Sequence, residues 1–203
     1  MKKCLLLLAL ILNAFSAEPV SESVQVICLG DSLTEGYGIK KKDAYPALLE
    51  SMLKEKGFKA KVVNGGVSGS TTASGKSRLE WLLKKSNPDV LILALGANDG
   101  LRGLKLAQSQ KNLEKIIELA QNKKIKILLA GMKLPPNYGK KRSREFHDMY
   151  DNLQKRYKLK KIPFMLENVG GKKELNLKDG IHPNEQGHKV IAETIMKHLE
   201  PLL

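Results

Sequence analysis

Val24-Gln25-Val26-Ile27-Cys28-Leu29-Gly30-Asp31-Ser32-Leu33-Thr34-Glu35-Gly36 is the stretch from which the fold can be read. Residues 24–29 are mostly apolar and β-prone, as in a short buried strand, and Gly-Asp-Ser closes that strand abruptly. A serine placed there lies just outside the carboxyl end of a central strand. In open α/β sheets ligands bind along that rim. Asp-Ser after a strand also suits an ordinary turn or a helix N-cap. Other stretches must decide between the two.

Outward from this point the chain alternates strand and helix. Asp43 can cap a helix from about Tyr45 to Lys56, with Pro46 in its first turn and Gly57 ending it. Lys61-Val62-Val63 is a short second strand that runs into Asn64-Gly65-Gly66 and Ser68-Gly69-Ser70. Gly75 to Lys85 is helical, Asn87-Pro88 breaks it, and Val90 to Leu95 is a continuous apolar run suited to a strand buried on both faces. Ser109 to Asn122 is an amphipathic helix with Leu113, Ile116, Ile117 and Ala120 on one face. Ile125 to Ala130 is the next strand, Arg144 to Tyr157 a helix, Pro163 to Leu166 a short last strand, and Glu185 to Leu199 the final helix. Strands separated by helices imply right-handed βαβ units. The fold class is α/β, a three-layer αβα arrangement around a parallel sheet of about five strands.

The chain has 203 residues, enough for one domain with a substantial core, and its 42% apolar and 28% charged content is that of a soluble globular protein. The formal net charge of +14 invites a nucleic-acid partner. However, the lysines are scattered in pairs and triplets without interleaved aromatics or a recognised module, so no nucleic acid is expected. The charge reads as solvation plus attraction to anionic surfaces such as lipid headgroups. At the N-terminus, Lys2 and Lys3 precede an apolar run from Leu5 to Leu12, and Ala14-Phe15-Ser16 offers small residues for a signal peptidase. That run is too short to span a bilayer. Residues 1–17 are therefore expected to be a cleaved signal, with a retained anchor as the alternative, and the protein to be periplasmic or secreted. Cys4 leaves with the signal, and Cys28 stays as a small buried hydrophobe.

Three stretches join the first. Gly96-Ala97-Asn98-Asp99-Gly100 follows the strongest strand at the same rim as Ser32, and Asn98 could donate its amide to a developing oxyanion. Ser68-Gly69-Ser70 follows the second strand, where a glycine lets the backbone aim an N–H at a ligand. Asp179-Gly180-Ile181-His182-Pro183 precedes the last helix, and three-residue spacing lets Asp179 orient an imidazole that faces Ser32. Each alone also fits a plain turn, a flexible loop or a capping histidine.

Together the four blocks resemble the SGNH (GDSL) hydrolases: Gly30-Asp31-Ser32-Leu33, Gly69, Gly96-Ala97-Asn98-Asp99 and Asp179-Gly180-Ile181-His182-Pro183, in order and over nearly all of residues 18–203. Within that family the chain is most similar to the periplasmic thioesterase I/protease I/lysophospholipase group, on Ala44 to Leu49, Gly96 to Gly103 and Leu134-Pro135-Pro136-Asn137-Tyr138-Gly139. The resemblance implies a flavodoxin-like sheet and a nucleophile Ser32, with His182 as base and Asp179 orienting it. It also implies an oxyanion hole from the Ser32 N–H, the Gly69 N–H and the Asn98 amide. Leu101 would belong to a mobile loop beside the site, and Leu134 and Pro135 to the wall holding the acyl chain. No metal or cofactor is implied.

The expected reaction is hydrolysis of fatty acyl thioesters, lysophospholipids and simple esters through an acyl-serine, by a monomer touching anionic lipid. A carbohydrate deacetylase is the alternative within the family, and a non-catalytic lipid or anion binder the alternative outside enzymes. Trp81 is expected in the core. His147, His188 and His198 are expected to be surface or packing residues, and Asp31 and Asp99 to brace their turns through backbone hydrogen bonds. Gly65-Gly66 is expected to loosen the second block.

Overall fold

The computed structural model describes residues 23–203, so the expected signal and Cys4 lie outside it. Five parallel strands form one sheet in the order β2-β1-β3-β4-β5, with β1 Ser23–Gly30, β2 Lys59–Gly66, β3 Val90–Ala94, β4 Lys126–Ala130 and β5 Lys160–Ile162. This is the flavodoxin-like order, in which the chain reverses direction between β1 and β3. The step from β1 to β2 runs one way across the sheet and every later step runs the other. Right-handed crossovers therefore put the first connecting helix on one face and those that follow on the opposite face. Accordingly α2 (Tyr45–Glu55) packs on α7 (Glu185–Leu199), while α3 (Gly75–Leu83) packs on α5 (Leu106–Asn122) and α5 on α6 (Lys140–Tyr157). Two short helices, α1 (Ser32–Glu35) and α4 (Ala97–Leu101), follow β1 and β3 at the rim. All five residues of β3 are buried, as a central strand covered on both faces requires.

Several boundaries move for identifiable reasons. The last strand is Lys160–Ile162, not residues 163–166. It is an edge strand, which needs no apolar run, and Pro163 has no N–H to extend the ladder. Met165 instead turns back to donate its N–H to Gly131 O at 2.8 Å. The cap of α2 is Ala44, and Asp43 closes a 3₁₀ turn before it. Helix α6 begins at Lys140 after Gly139, with no side-chain cap and no acidic residue in its first turn to announce it. Trp81 is 53% exposed, correcting the core expectation. The buried stripe of α3 runs through Gly75, Leu79 and Leu82, and Trp81 falls outside it with Lys85 Nζ 4.2 Å above its ring. Gly65 and Gly66 do not loosen the second block. A Cβ on Gly65 would lie 2.8 Å from Leu82 Cδ1, and one on Gly66 would run into the backbone of Glu35, so both glycines permit close packing of β2.

Behind the rim, Tyr45 organises a buried polar cluster. Its hydroxyl hydrogen-bonds Thr34 Oγ1 at 2.9 Å, and its N–H donates to His188 Nδ1 at 3.1 Å. Cys28 beside it is fully buried, and burial pushes its thiol up to about 12, which keeps it an inert hydrophobe. Burial pushes His188 down to about 4, so it stays neutral and can accept the Tyr45 N–H. In the unfolded chain an imidazole titrates near 6.5, so the folded state binds fewer protons between those values. Stability is thus complete above about pH 6.5 and falls as pH drops toward about 4, by up to about 3 kcal/mol. Thermal melts across that window should show the loss, and His188→Gln, which keeps an acceptor without a titration, should flatten the slope.

Candidate active site

The rim outside β1, β2 and β3 assembles four separate blocks. Asp31 is the N-cap of α1, and its Oδ1 accepts the Leu33 N–H at 3.1 Å. Ser32 is thereby fixed at the first turn of a short helix immediately after a buried strand, and its side chain points out of the sheet. Ser32 Oγ lies 3.0 Å from His182 Nε2, and His182 Nδ1 lies 2.7 Å from Asp179 Oδ2. Asp179 Oδ1 accepts two further bonds, from the N–H groups of Ile181 and His182, each at 2.9 Å. Those backbone donors, with the imidazole, hold the Asp179 carboxyl down at about 2. An ionised carboxylate only accepts, so Nδ1 carries a proton and Nε2 presents its lone pair to Ser32. The three side chains thus form a continuous hydrogen-bonded chain, Ser32–His182–Asp179, arranged as a nucleophile, a base and its orienter would have to be.

The oxyanion candidates lie in the two segments that follow β2 and β3, next to the Asp31–Ser32 turn. Gly69 sits at φ +75°, and Arg102 Nη2 would be 3.3 Å from any Cβ placed there, so the position requires glycine. Asn98 donates one amide hydrogen to Ser70 O at 3.0 Å, and its nitrogen is 3.5 Å from Asp31 Oδ2. The first bond fixes the plane of the amide. The second contact is too long to hold its hydrogen firmly, which leaves that donor for a ligand.

Gly96 at φ +119° makes the bend that brings Asn98 to the rim. A Cβ there would lie 2.5 Å from the Tyr150 hydroxyl, which itself donates to Leu95 O at 3.0 Å.

The expected substrate wall is only partly open. Leu134 is buried against Gly100, Leu101 is half-buried with its carbonyl accepting the Tyr138 hydroxyl at 3.0 Å, and Pro135 is exposed.

Sequence reasoning missed the residues that tie the blocks together. Glu35 accepts the N–H of Ser68 at 2.7 Å and the Ser68 hydroxyl, joining the first block to the second. Arg78 on α3 donates to Gly30 O at 2.9 Å and to Ser70 Oγ at 2.8 Å, which bridges the end of β1 to the Gly69 loop. Its partners are a carbonyl and a hydroxyl, so no charge pattern announces it. Asp31 behaves as expected toward its own turn. Asp99 instead reaches outward to the N–H and hydroxyl of Thr72 and to the Ser109 hydroxyl, at 2.9, 2.6 and 2.8 Å, which pins the β2–α3 loop and α5. Burial pushes the Asp31 carboxyl up to about 6, against the pull of its Leu33 hydrogen bond and of the His182 and Arg78 charges. Tyr37, unremarked in the sequence, lays its ring 4.6 Å from that of His182.

Residues 28–190 match the model of the GDSL-like lipase/acylhydrolase family, a span that holds all four blocks. The chain belongs to this family. It is 37% identical to an arylesterase of Vibrio mimicus over 95% of this chain and 96% of that protein. It is 36% identical to the thioesterase 1/protease 1/lysophospholipase L1 of Escherichia coli K12, over 88% of this chain and 84% of the relative. The crystal structure of TesA superposes with a TM-score of 0.85 at 37% identity, covering 88% of this chain and 99% of that one. Like its GDSL relatives, the protein is an ester or thioester hydrolase.

Proposed function

We propose that Ser32 is the nucleophile, His182 the general base and Asp179 the residue that orients and stabilises it. The contact that carries this reading is the 3.0 Å approach of Ser32 Oγ to His182 Nε2. As Oγ bonds to the acyl carbon, its proton passes to Nε2, and the ionised Asp179 stabilises the imidazolium. The tetrahedral oxyanion is held by the Ser32 and Gly69 N–H groups and the second hydrogen of the Asn98 amide, which exchanges its long contact to Asp31 for the oxyanion. Collapse breaks the bond to the thiolate or alkoxide, which leaves with the proton from His182. Water then gives a proton to the same nitrogen while attacking the acyl-serine, and as the acyl–Oγ bond breaks His182 returns that proton to Oγ, which releases the acid and restores Ser32.

The substrates we propose are fatty acyl thioesters, lysophospholipids and simple esters, as the names of the curated relatives suggest for those proteins. The half-buried Leu101 and exposed Pro135 offer apolar surface that suits an acyl chain, with Leu134 buried against Gly100. The Lys2-Lys3 and Leu5–Leu12 pattern supports a cleaved signal at residues 1–17 and a periplasmic or secreted protein, and the net charge of +14 supports contact with anionic lipid. The test is a hydrolysis panel of palmitoyl-CoA, a lysophospholipid, para-nitrophenyl esters from acetyl to long chain and an acetylated polysaccharide. Activity rising with chain length supports the reading, and activity confined to acetyl groups replaces it with a deacetylase.

The oxyanion assignment makes a separate prediction. Asn98→Ala should lower kcat about 10²–10³-fold with little change in KM, because the lost bond forms only as charge develops on the oxygen. Steady-state kinetics on one short ester measures both parameters.

A further inference from the structure

Five large apolar side chains stand exposed among the described residues: Tyr37 (51%), Val67 (49%), Trp81 (53%), Leu104 (41%) and Ile181 (56%). Four of the five gather at the catalytic rim. Tyr37 lies against His182 with the rings tilted by 41°, Val67 leaves β2 with its N–H on Gly30 O, Leu104 leaves α4 with its N–H on Asp99 O, and Ile181 immediately precedes His182. Trp81 alone lies on a flank. Single exposed apolar residues need no explanation, whereas four at one end, around one pair of reacting side chains, form a patch.

Exposed cations interleave with that patch: Lys40, Lys41 and Lys42 beyond α1, Arg102 and Lys105 beside Leu104, and Lys178 beside Asp179. Among the described residues none of these six makes an ion pair within 4 Å, and what sets them apart from the other cations without an ion pair is that they stand among the exposed apolar side chains. Of the acids nearby, Asp179 is held by His182, and Glu35, which is bonded to Ser68 and also faces the Lys41 charge, shares the local counter-charge with Asp43. Unpaired cations around exposed apolar side chains are the pattern of a surface that lies in a lipid interface, where rings and aliphatic groups enter the headgroup layer and ammonium groups meet phosphates.

We propose that the catalytic rim is itself the docking face for an anionic lipid surface, so that acyl substrate enters the site directly from the lipid layer. The identity of that substrate rests on the acyl-hydrolase reading above, while the docking does not. A nucleic acid or an acidic protein would be met by the cations alone and would leave the apolar residues unused.

The test uses the full chain carrying Ser32→Ala, so that no lipid is consumed. Wild-type Trp81 reports the flank. In a second protein, Trp81→Phe with Val67→Trp moves the only indole to the rim. On phosphatidylglycerol vesicles the rim indole should blue-shift and the flank indole should not. Both should stay unshifted on phosphatidylcholine. Lys40→Glu/Lys42→Glu should lower partition onto phosphatidylglycerol vesicles by at least about tenfold at low salt, and Lys111→Glu/Lys115→Glu on α5 should lower it far less. The N-terminal apolar run is common to all four proteins, so these differences read the rim. A shift at Trp81, no shift at position 67, or equal losses from the two charge reversals would overturn the proposal. Vesicle docking without ester turnover in the Ser32 protein would remove the acyl-hydrolase reading and leave the docking standing. Turnover without docking would do the reverse.

Discussion

Ser32→Ala should lower kcat toward para-nitrophenyl butyrate by about 10⁶-fold, because it removes the atom to which the acyl group is transferred. The residual rate should still exceed that of water, since the oxyanion donors remain. Adding His182→Ala should lower it little further, because base and nucleophile act as one unit and cannot be lost twice. The fold should be unaffected. Among the described residues Ser32 Oγ hydrogen-bonds only His182, and alanine suits the first turn of α1, whose cap is Asp31. Kinetics on the single and double variants, with thermal melts alongside, separate lost chemistry from lost structure. A fall below about tenfold would remove Ser32 from the reaction.

Asp179→Asn should cost about 10⁴-fold in kcat, although it changes one atom. The Ile181 and His182 N–H groups both point at Oδ1, so the asparagine carbonyl oxygen takes that place and its amide faces His182 Nδ1. An amide donates, so Nδ1 becomes the acceptor and the ring proton moves to Nε2. There it faces Ser32, and the base has no lone pair for the hydroxyl proton. KM should change little, and the Nε2-protonated tautomer should be visible by ¹⁵N NMR of the imidazole. With the wild-type carboxyl held at about 2, protonation of Asp179 does not shape the pH–rate profile above about pH 4.

The parts of the molecule that the sequence made legible share one physical property: their signal is local. A buried strand such as β3 needs an unbroken apolar run, the α5 stripe needs its 3.6-residue period, and Asp179 can orient His182 only across a short fixed spacing. The ties between blocks were not legible, because they depend on where distant segments meet. Arg78 reaches a carbonyl 48 residues away, and Asp99 collects Thr72 and Ser109 from two other elements. Edge strand β5 was misplaced for a related reason. With its pairing supplied by Leu128 to Ala130 alone, its own side chains need not be apolar. Trp81 was misplaced because residue type was weighed above helical phase. The exposed set at the rim was invisible for the opposite reason, since an apolar residue in a loop reads as buried until its surroundings are known.

In the proposed mechanism the acyl group passes through a covalent bond to Ser32, which the His182–Asp179 pair activates. This step is tested most directly by acid-quenching the protein during turnover of a long-chain para-nitrophenyl ester and locating the adduct by peptide mass spectrometry. One acyl group is expected on the peptide containing Ser32, accumulating in Asn98→Ala if deacylation is slowed more than acylation, and absent from Ser32→Ala. An acyl group on any other residue, or full turnover by Ser32→Ala, would contradict it.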